Sequence, residues 1–152
     1  LVMAFQQVKD IIQESYKEHC KVAAFYEEME DCVEQSKVKM LLKSMKKHED
    51  ELVHCFKVYL QGSNSTLKTW FQYMPELPKA SELISLTLSE GSSEDEVLRL
   101  FDDVNECFIA RYSKLSEISP SAAVHELFDE MVRMEQYEMT RESWSKTMMD
   151  DM

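Results

Sequence analysis

Polar side chains that could bind a metal or carry a proton interrupt otherwise apolar helical stripes at five positions. These residues are His19, Glu49, Asn105, Glu135 and Glu138. Carboxylate oxygen and imidazole nitrogen are ligands that iron, manganese and zinc accept in proteins. A carboxylate on a buried stripe must be protonated, hydrogen bonded or bound to a cation, because an isolated charge in a core is strongly unfavourable. The five positions therefore predict either a metal site or a closed polar network inside the protein.

The stretch 42–59 carries Glu49 and shows the pattern most clearly. Its apolar residues recur in steps of three and four, with Glu49 completing the row: Leu42, Met45, Leu52, Phe56 and Tyr59. Side chains at this spacing project from one face of an α-helix. Glu49 is therefore predicted to face the protein interior.

The scarce glycines and prolines divide the chain into long helices and one irregular connection. Of two glycines and three prolines, all except Pro120 lie between residues 61 and 92. The fold is therefore predicted to be all-α, in one domain covering residues 1–152. The predicted elements are helices over about 5–33, 37–60, 93–118 and 120–145, and a crossover over 61–92.

Local signals indicate where the later helices begin and what the crossover contains. Ser93 and Glu96 have the spacing of a capping box at the start of the third helix, and Ser119-Pro120 suits the start of the fourth. Within the crossover, 80–88 is predicted to form a short helix. The aromatic residues there are expected to pack across one end of the molecule, and they are Trp70, Phe71 and Tyr73.

The second half of the chain repeats the first. A shift of 86 positions aligns the two halves without a gap, and the aligned pairs include Tyr26–Tyr112, Met45–Met131, Glu49–Glu135, His19–Asn105 and Leu52–Glu138. In an antiparallel hairpin, residues at equal distances from the turn lie level with each other. His19 and Glu49 meet this condition around residue 34, and their counterparts meet it around residue 120. Two such hairpins predict an antiparallel four-helix bundle with one polar layer, and Glu138 lies one turn further along.

The repeated pattern resembles the ferritin-like superfamily, in particular its rubrerythrin-type members. The motif occurs as His19-x5-Phe25-Tyr26…Met45-x3-Glu49 and again as Asn105-x5-Arg111-Tyr112…Met131-x3-Glu135. The resemblance covers about residues 12–60 and 94–145. It implies a four-helix bundle in which a Glu from each of two helices and a Glu-x-x-His from each of the other two hold a di-iron centre.

Four of the six ligand positions implied by the resemblance are altered in this chain. His19 and Asn105 stand where the family has glutamate, while Leu52 and Glu138 stand where it has histidine. Glu49 and Glu135 match the two bridging carboxylates. The sequence thus indicates a degenerate di-iron site.

Three functions follow from this altered layer, and the sequence leaves all three open. In the first, His19, Glu49, Glu135 and Glu138 hold one divalent metal, either iron, manganese or zinc, and Asn105 is a neutral or supporting ligand. In the second, the layer is a metal-free network in which His19 pairs with Glu49 and Asn105 with Glu135, within a structural or interaction module. In the third, as the resemblance implies, the chain is an iron-dependent oxidoreductase acting on peroxide or oxygen and supplied by a separate electron donor.

Composition narrows the partners and the location. Acidic residues outnumber basic ones by 29 to 17, which disfavours binding to nucleic acid. Four cysteines occur singly, as expected for a reducing cytoplasm. No apolar run approaches the roughly 20 residues needed to span a membrane. We therefore expect a cytoplasmic protein, and a homodimer is compatible with the predicted bundle.

The sequence disfavours two further kinds of site. Glu51-x-x-His54 has the Glu-x-x-His spelling, but both residues fall off the apolar stripe of their helix and are predicted to face solvent. The sequence also indicates no Ser/His/Asp arrangement that the fold would bring together. Neither is therefore expected to form a catalytic centre.

Overall fold

The computed structural model describes residues 5–62, 64–84 and 88–150 and is mostly helical, which confirms the all-α prediction. The helices are α1 (Val8–Cys32), α2 (Ser36–Gln61), α3 (Ala80–Ile84), α4 (Glu94–Glu117) and α5 (Ala122–Asp150). Two short strands, β1 (Gln6–Gln7) and β2 (Trp70–Phe71), and a 3₁₀ turn at Ser65–Lys68 complete the described elements.

The long helices are paired in opposite directions. In α1 and α2, Lys39 near the start of α2 donates to the carbonyl of Glu30 near the end of α1 at 2.9 Å. In α4 and α5, the end of α4 likewise meets the beginning of α5, where Ser116 donates to Asp129. Apolar faces of all four helices join one hydrophobic core. Tyr112 of α4 stacks on Phe128 of α5 within it, with 6.5 Å between the ring centroids.

Side chains at the helix starts explain where α4 and α5 begin. Ser93 and Glu96 exchange hydrogen bonds of 3.2 Å between their side chains and backbone N–H groups, which confirms the predicted capping box. For α5, the hydroxyl of Ser121 accepts from the backbone N–H of Val124 at 3.3 Å. The helix consequently begins at Ala122, two residues after Pro120, so the start predicted at Ser119-Pro120 is too early. The helix also continues past the predicted end at about 145, to Asp150.

A short sheet attaches the crossover to the start of α1. Strand β1 pairs antiparallel with β2, and the backbone N–H of Val8 donates to the carbonyl of Thr69 at 2.9 Å. In β2, Phe71 is buried against Phe128, whereas Trp70 is 52% exposed. Tyr73 is 45% exposed, so only Phe71 of the aromatic group packs into the core as predicted.

Helix α3 is shorter than the helix predicted over 80–88. It ends at Ile84, and residues 85–87 lie outside the described part of the chain. Its start is held against α1, because the Glu18 carboxylate accepts from the backbone N–H and the hydroxyl of Ser81 at 3.2 and 2.9 Å. This contact fixes the crossover beside α1 and α4.

We predict that Ser93→Ala lowers the free energy of unfolding by about 1 kcal/mol, because it removes the side-chain acceptor at the start of α4. The matched control is Ser113→Ala, which changes an exposed serine within the same helix. It should leave stability unchanged or raise it slightly, since alanine favours helix. Urea denaturation followed by circular dichroism measures both. Equal losses in the two variants would contradict the capping role.

Candidate functional site

His19 lies at the centre of the polar layer and contacts residues from three other helices. Its Nδ1 lies 2.5 Å from Glu49 Oε2 on α2. On the opposite side of the ring, Nε2 lies 3.0 Å from Glu135 Oε1 on α5 and 3.2 Å from the Tyr112 hydroxyl on α4. All four residues are at most 1% exposed. The structure therefore brings together His19, Glu49 and Glu135 of the predicted site.

The imidazole ring is held in place by aromatic neighbours. Phe108 stacks on it almost in parallel, with 3.8 Å between centroids and 10° between planes. Phe56 packs on it at a tilt, with 5.1 Å between centroids. The packing fixes the plane of the ring between the two carboxylates.

This environment favours a doubly protonated His19. Burial by itself would lower the pKa of the ring, but the negative charge of Glu49, together with Tyr112 and Glu135, raises the pKa of His19 well above its usual 6.5. Charge-assisted hydrogen bonds of this kind are short, as the 2.5 Å contact to Glu49 is. His19 is thus best described as an imidazolium cation enclosed by acids.

The carboxylate of Glu135 is less well hydrogen bonded than that of Glu49. Among the described residues, neither of its oxygens has a hydrogen-bond partner of good geometry, although Oε1 lies 3.0 Å from His19 Nε2. Burial raises the pKa of Glu135, and the charge of His19 only partly offsets this. Burial also raises the pKa of Tyr112, to about 12, so its phenol keeps its proton at neutral pH.

Glu138 belongs to a second group beside the first. Its Oε2 lies 3.3 Å from His48 Nδ1, and its Oε1 lies 3.4 Å from Arg141 Nη1. Arg141 Nη1 also lies 3.1 Å from Glu51 Oε2, and through this contact the group extends to the surface. Burial raises the pKa of Glu138, and the charges of His48 and Arg141 oppose that rise.

Sequence reasoning missed His48 and Arg141. His48 follows Met45 by three positions and precedes Leu52 by four, so it lies on the inward face as Glu49 does, and it is only 5% exposed. The helical spacing could have identified it. Arg141 follows Glu138 by three positions, which is a spacing that allows pairing on one helix face.

Asn105 lies in the interior but turns toward its own helix. Its Nδ2 donates to the Phe101 carbonyl at 2.8 Å, and its Oδ1 has no hydrogen-bond partner among the described residues. The expected hydrogen bond between Asn105 and Glu135 is absent from the described contacts. Asn105 therefore contributes no donor to Glu135.

The structure agrees with the prediction for Glu51-x-x-His54 but not with the prediction about a Ser/His/Asp arrangement. Glu51 and His54 are both exposed, as predicted. The expectation that no Ser/His/Asp arrangement forms is wrong. At the α4–α5 turn, Ser116 Oγ lies 2.9 Å from His125 Nδ1 and donates to Asp129 at 2.5 Å, while His125 Nε2 lies 3.1 Å from Asp129.

This Ser/His/Asp group stabilises the turn and does not activate a nucleophile. His125 Nδ1 also lies 3.0 Å from the Ser116 carbonyl, which can only accept, so Nδ1 carries a proton and cannot remove one from the serine. The Ser116 hydroxyl donates directly to Asp129 instead. The three side chains thus tie the end of α4 to the start of α5.

The inner layer does not fit the metal centre that the resemblance implies. Glu49 and Glu135 face opposite nitrogens of one ring, so the imidazole fills the space that a shared cation would need. Leu52, buried beside them, has no ligand atom. Across the described residues, no three or more His, Cys, Asp or Glu side chains form a group that could hold a metal ion.

Comparison with models of protein families, with curated proteins and with solved structures finds no match. The candidate site is therefore interpreted from its own geometry. No described helix combines the length and apolar character that crossing a membrane requires.

We predict that stability falls as pH rises above about 6.5. The folded chain holds the His19 proton more tightly than the unfolded chain, so this stabilisation is complete below the unfolded pKa of about 6.5 and is lost as pH rises through the higher folded pKa, by up to about 1.4 kcal/mol per pH unit. The raised pKa values of Glu135 and Glu138 act with the same sign from about pH 4.5 upward. Urea denaturation between pH 6 and 9 measures the slope.

The variant His19→Gln should lose most of this slope above pH 6.5, while His54→Gln, at an exposed position of α2, should keep it. If His19→Gln does not fold, the ring ¹⁵N signals of the wild-type His19 decide the question. They should remain those of an imidazolium at pH 7.5. A neutral ring at that pH would contradict the assignment.

Proposed function

We propose that this chain is a metal-free structural or interaction module of rubrerythrin-type ancestry. On this proposal it is an antiparallel four-helix bundle of two repeated hairpins, and an imidazolium supplies the positive charge that a metal centre would supply in the family it resembles. The observation that carries the proposal is the position of His19, with a carboxylate within 3.0 Å of each ring nitrogen. The opposed pairing of α1 with α2 and of α4 with α5 supports the bundle.

The charges of the inner layer support a metal-free state. One buried cation, His19, faces Glu49 and Glu135, and the raised pKa of Glu135 favours its neutral form. Glu138 has a cationic neighbour of its own in Arg141, and its Oε2 lies 3.3 Å from His48 Nδ1. The layer thus approaches neutrality with protein groups alone, and a divalent cation would have to displace the His19 proton.

A single bound divalent metal is the second candidate, and the unsatisfied acceptors favour it. Both Glu135 oxygens and Asn105 Oδ1 are buried without a hydrogen-bond partner among the described residues. Iron, manganese or zinc could engage these oxygens if His19 became neutral and moved away from Glu49. This candidate therefore requires a rearrangement that the metal-free state does not.

Homodimerisation, a cytoplasmic location and the absence of nucleic-acid binding stay predictions. Light scattering coupled to size exclusion would test the dimer. Titration with a duplex oligonucleotide at low salt would test the exclusion of nucleic acid.

We predict that protein purified without chelator contains less than about 0.1 divalent metal ion per chain, measured by elemental analysis, because the His19 proton opposes metal binding. Ferrous iron added in air should produce no protein-dependent ferric absorbance and no peroxide consumption. Stoichiometric metal that Glu135→Ala abolishes would instead establish the single-metal site. Iron-dependent oxidation or peroxide reduction would establish the oxidoreductase.

The variant His19→Glu tests the proposal in the opposite direction, because it should strengthen metal binding. It replaces the internal cation by a third acid beside Glu49 and Glu135, so binding of Mn²⁺ should tighten by at least about tenfold, corresponding to ~1.4 kcal/mol. If the variant folds only with Mn²⁺ present, that dependence reports the same gain. The matched control is His54→Glu, which makes the same substitution at an exposed position of α2. Equal gains in both variants would contradict the proposal.

A further inference from the structure

A concave pocket lies between α1, α4 and the segment that leads into α3, away from the His19 layer. Its volume is about 250 Å³, slightly below the roughly 300–1,000 Å³ typical of drug-sized ligand sites, so it suits a small ligand. The charged residues that line it are Arg111, Lys79, Glu14 and Glu76, and its apolar walls include Met74 and Leu77. Two of these residues, Lys79 and Arg111, are cations, in a chain with a net charge of −12.

Arg111 is buried, but its contacts with hydrogen-bond acceptors are long. It is 2% exposed, yet its nearest polar contacts are long, with Nη2 at 3.4 Å from Glu14 Oε2 and Nη1 at 3.5 Å from the Pro78 carbonyl. Its Nε has no hydrogen-bond partner among the described residues. A guanidinium has five N–H donors, and burial without strong acceptors is unfavourable.

The internal repeat shows that folding does not require a charge at this position. Under the shift of 86 positions Arg111 aligns with Phe25, which is partly buried against the core. An aromatic side chain thus occupies the equivalent position of the first half. The buried arginine in the second half calls for a different explanation, and an anionic ligand supplies one.

The charges around Arg111 define the ligand. Lys79 Nζ lies 3.9 Å from Glu14 Oε1, so two cations share this carboxylate, and with Glu76 the four charged side chains of the pocket sum to zero. Glu76, also on the pocket wall, disfavours a ligand with more than one negative charge. Met74, 5% exposed, and Leu77 offer apolar contact next to the cations.

We propose that this pocket binds a small monocarboxylate with an apolar body. The carboxylate lies against the Arg111 guanidinium, whose planar fork matches two carboxylate oxygens, and Lys79 adds a second positive charge. The apolar body packs on Met74 and Leu77. This site is separate from the His19 layer and does not depend on whether that layer holds a metal.

Calorimetric titration of the full chain with hexanoate tests the ligand class. Hexan-1-ol, which keeps the apolar body and lacks the carboxylate, should bind at least about tenfold more weakly. Inorganic phosphate, which lacks the apolar body and carries more charge, should also bind more weakly. Hexanoate binding no tighter than that of either comparison compound would overturn the proposal.

Variants of the charged residues make the test specific to this pocket. Lys79→Gln should weaken hexanoate binding by about threefold to tenfold, whereas Glu14→Gln should tighten it by a similar factor, because Glu14 competes with the ligand for Arg111. Both side chains are partly exposed, so both variants should fold. Lys114→Gln and Glu117→Gln, an exposed pair elsewhere on α4, are the matched controls and should leave binding unchanged.

Arg111→Met should abolish measurable binding while its circular dichroism remains that of the wild type. If it does not fold, the opposite effects of Lys79→Gln and Glu14→Gln decide the question. No change, or a change of the same sign, in those two variants would overturn the proposal.

Discussion

A positive charge in the middle of an apolar core is the constraint on which the arrangement of the helices depends. His19 is fully buried, and each of its nitrogens meets an acid from a different helix. A buried ion pair adds little net stability over an apolar core, but removal of one partner leaves the other charge stranded. The geometry of α1, α2 and α5 must therefore keep His19, Glu49 and Glu135 together. The aromatic rings of Phe56 and Phe108 fix the imidazole between them.

The two halves of the chain share a sequence pattern but differ in where they carry buried basic residues. The first half contributes the cation of the inner layer, at His19, and the second half has a neutral amide at the matching position, Asn105. The second half in turn carries a buried cation, Arg111, where the first has Phe25. His19 and Arg111 thus lie at different positions of the repeat. The two charges face different surroundings, one a closed layer and the other a pocket open to solvent.

Periodicity predicted the helices and the inward position of the main polar residues, because burial of a helix face is a property of spacing. The metal-free alternative pairs His19 with Glu49, as the structure does, but spacing did not predict the other partners within the layer. Asn105 donates to its own helix, a choice of rotamer that spacing does not determine. His48 was missed because the inward face of α2 is wide enough to include both it and Glu49. In β2 the strand alternation places Trp70 outward and Phe71 inward, although both are aromatic. The start of α5 depended on which of two nearby serines caps it.

The pairing of β1 with β2 has a consequence for the order in which the chain folds. Gln7 donates through its side chain to the Lys68 carbonyl, 61 positions away, whereas the contacts within each helical pair are much closer in sequence. Closing so long a loop carries a larger entropic penalty, so helical pairs of low contact order should assemble first. We therefore expect the two-residue sheet to form late in folding, when it joins the N-terminal segment to the crossover.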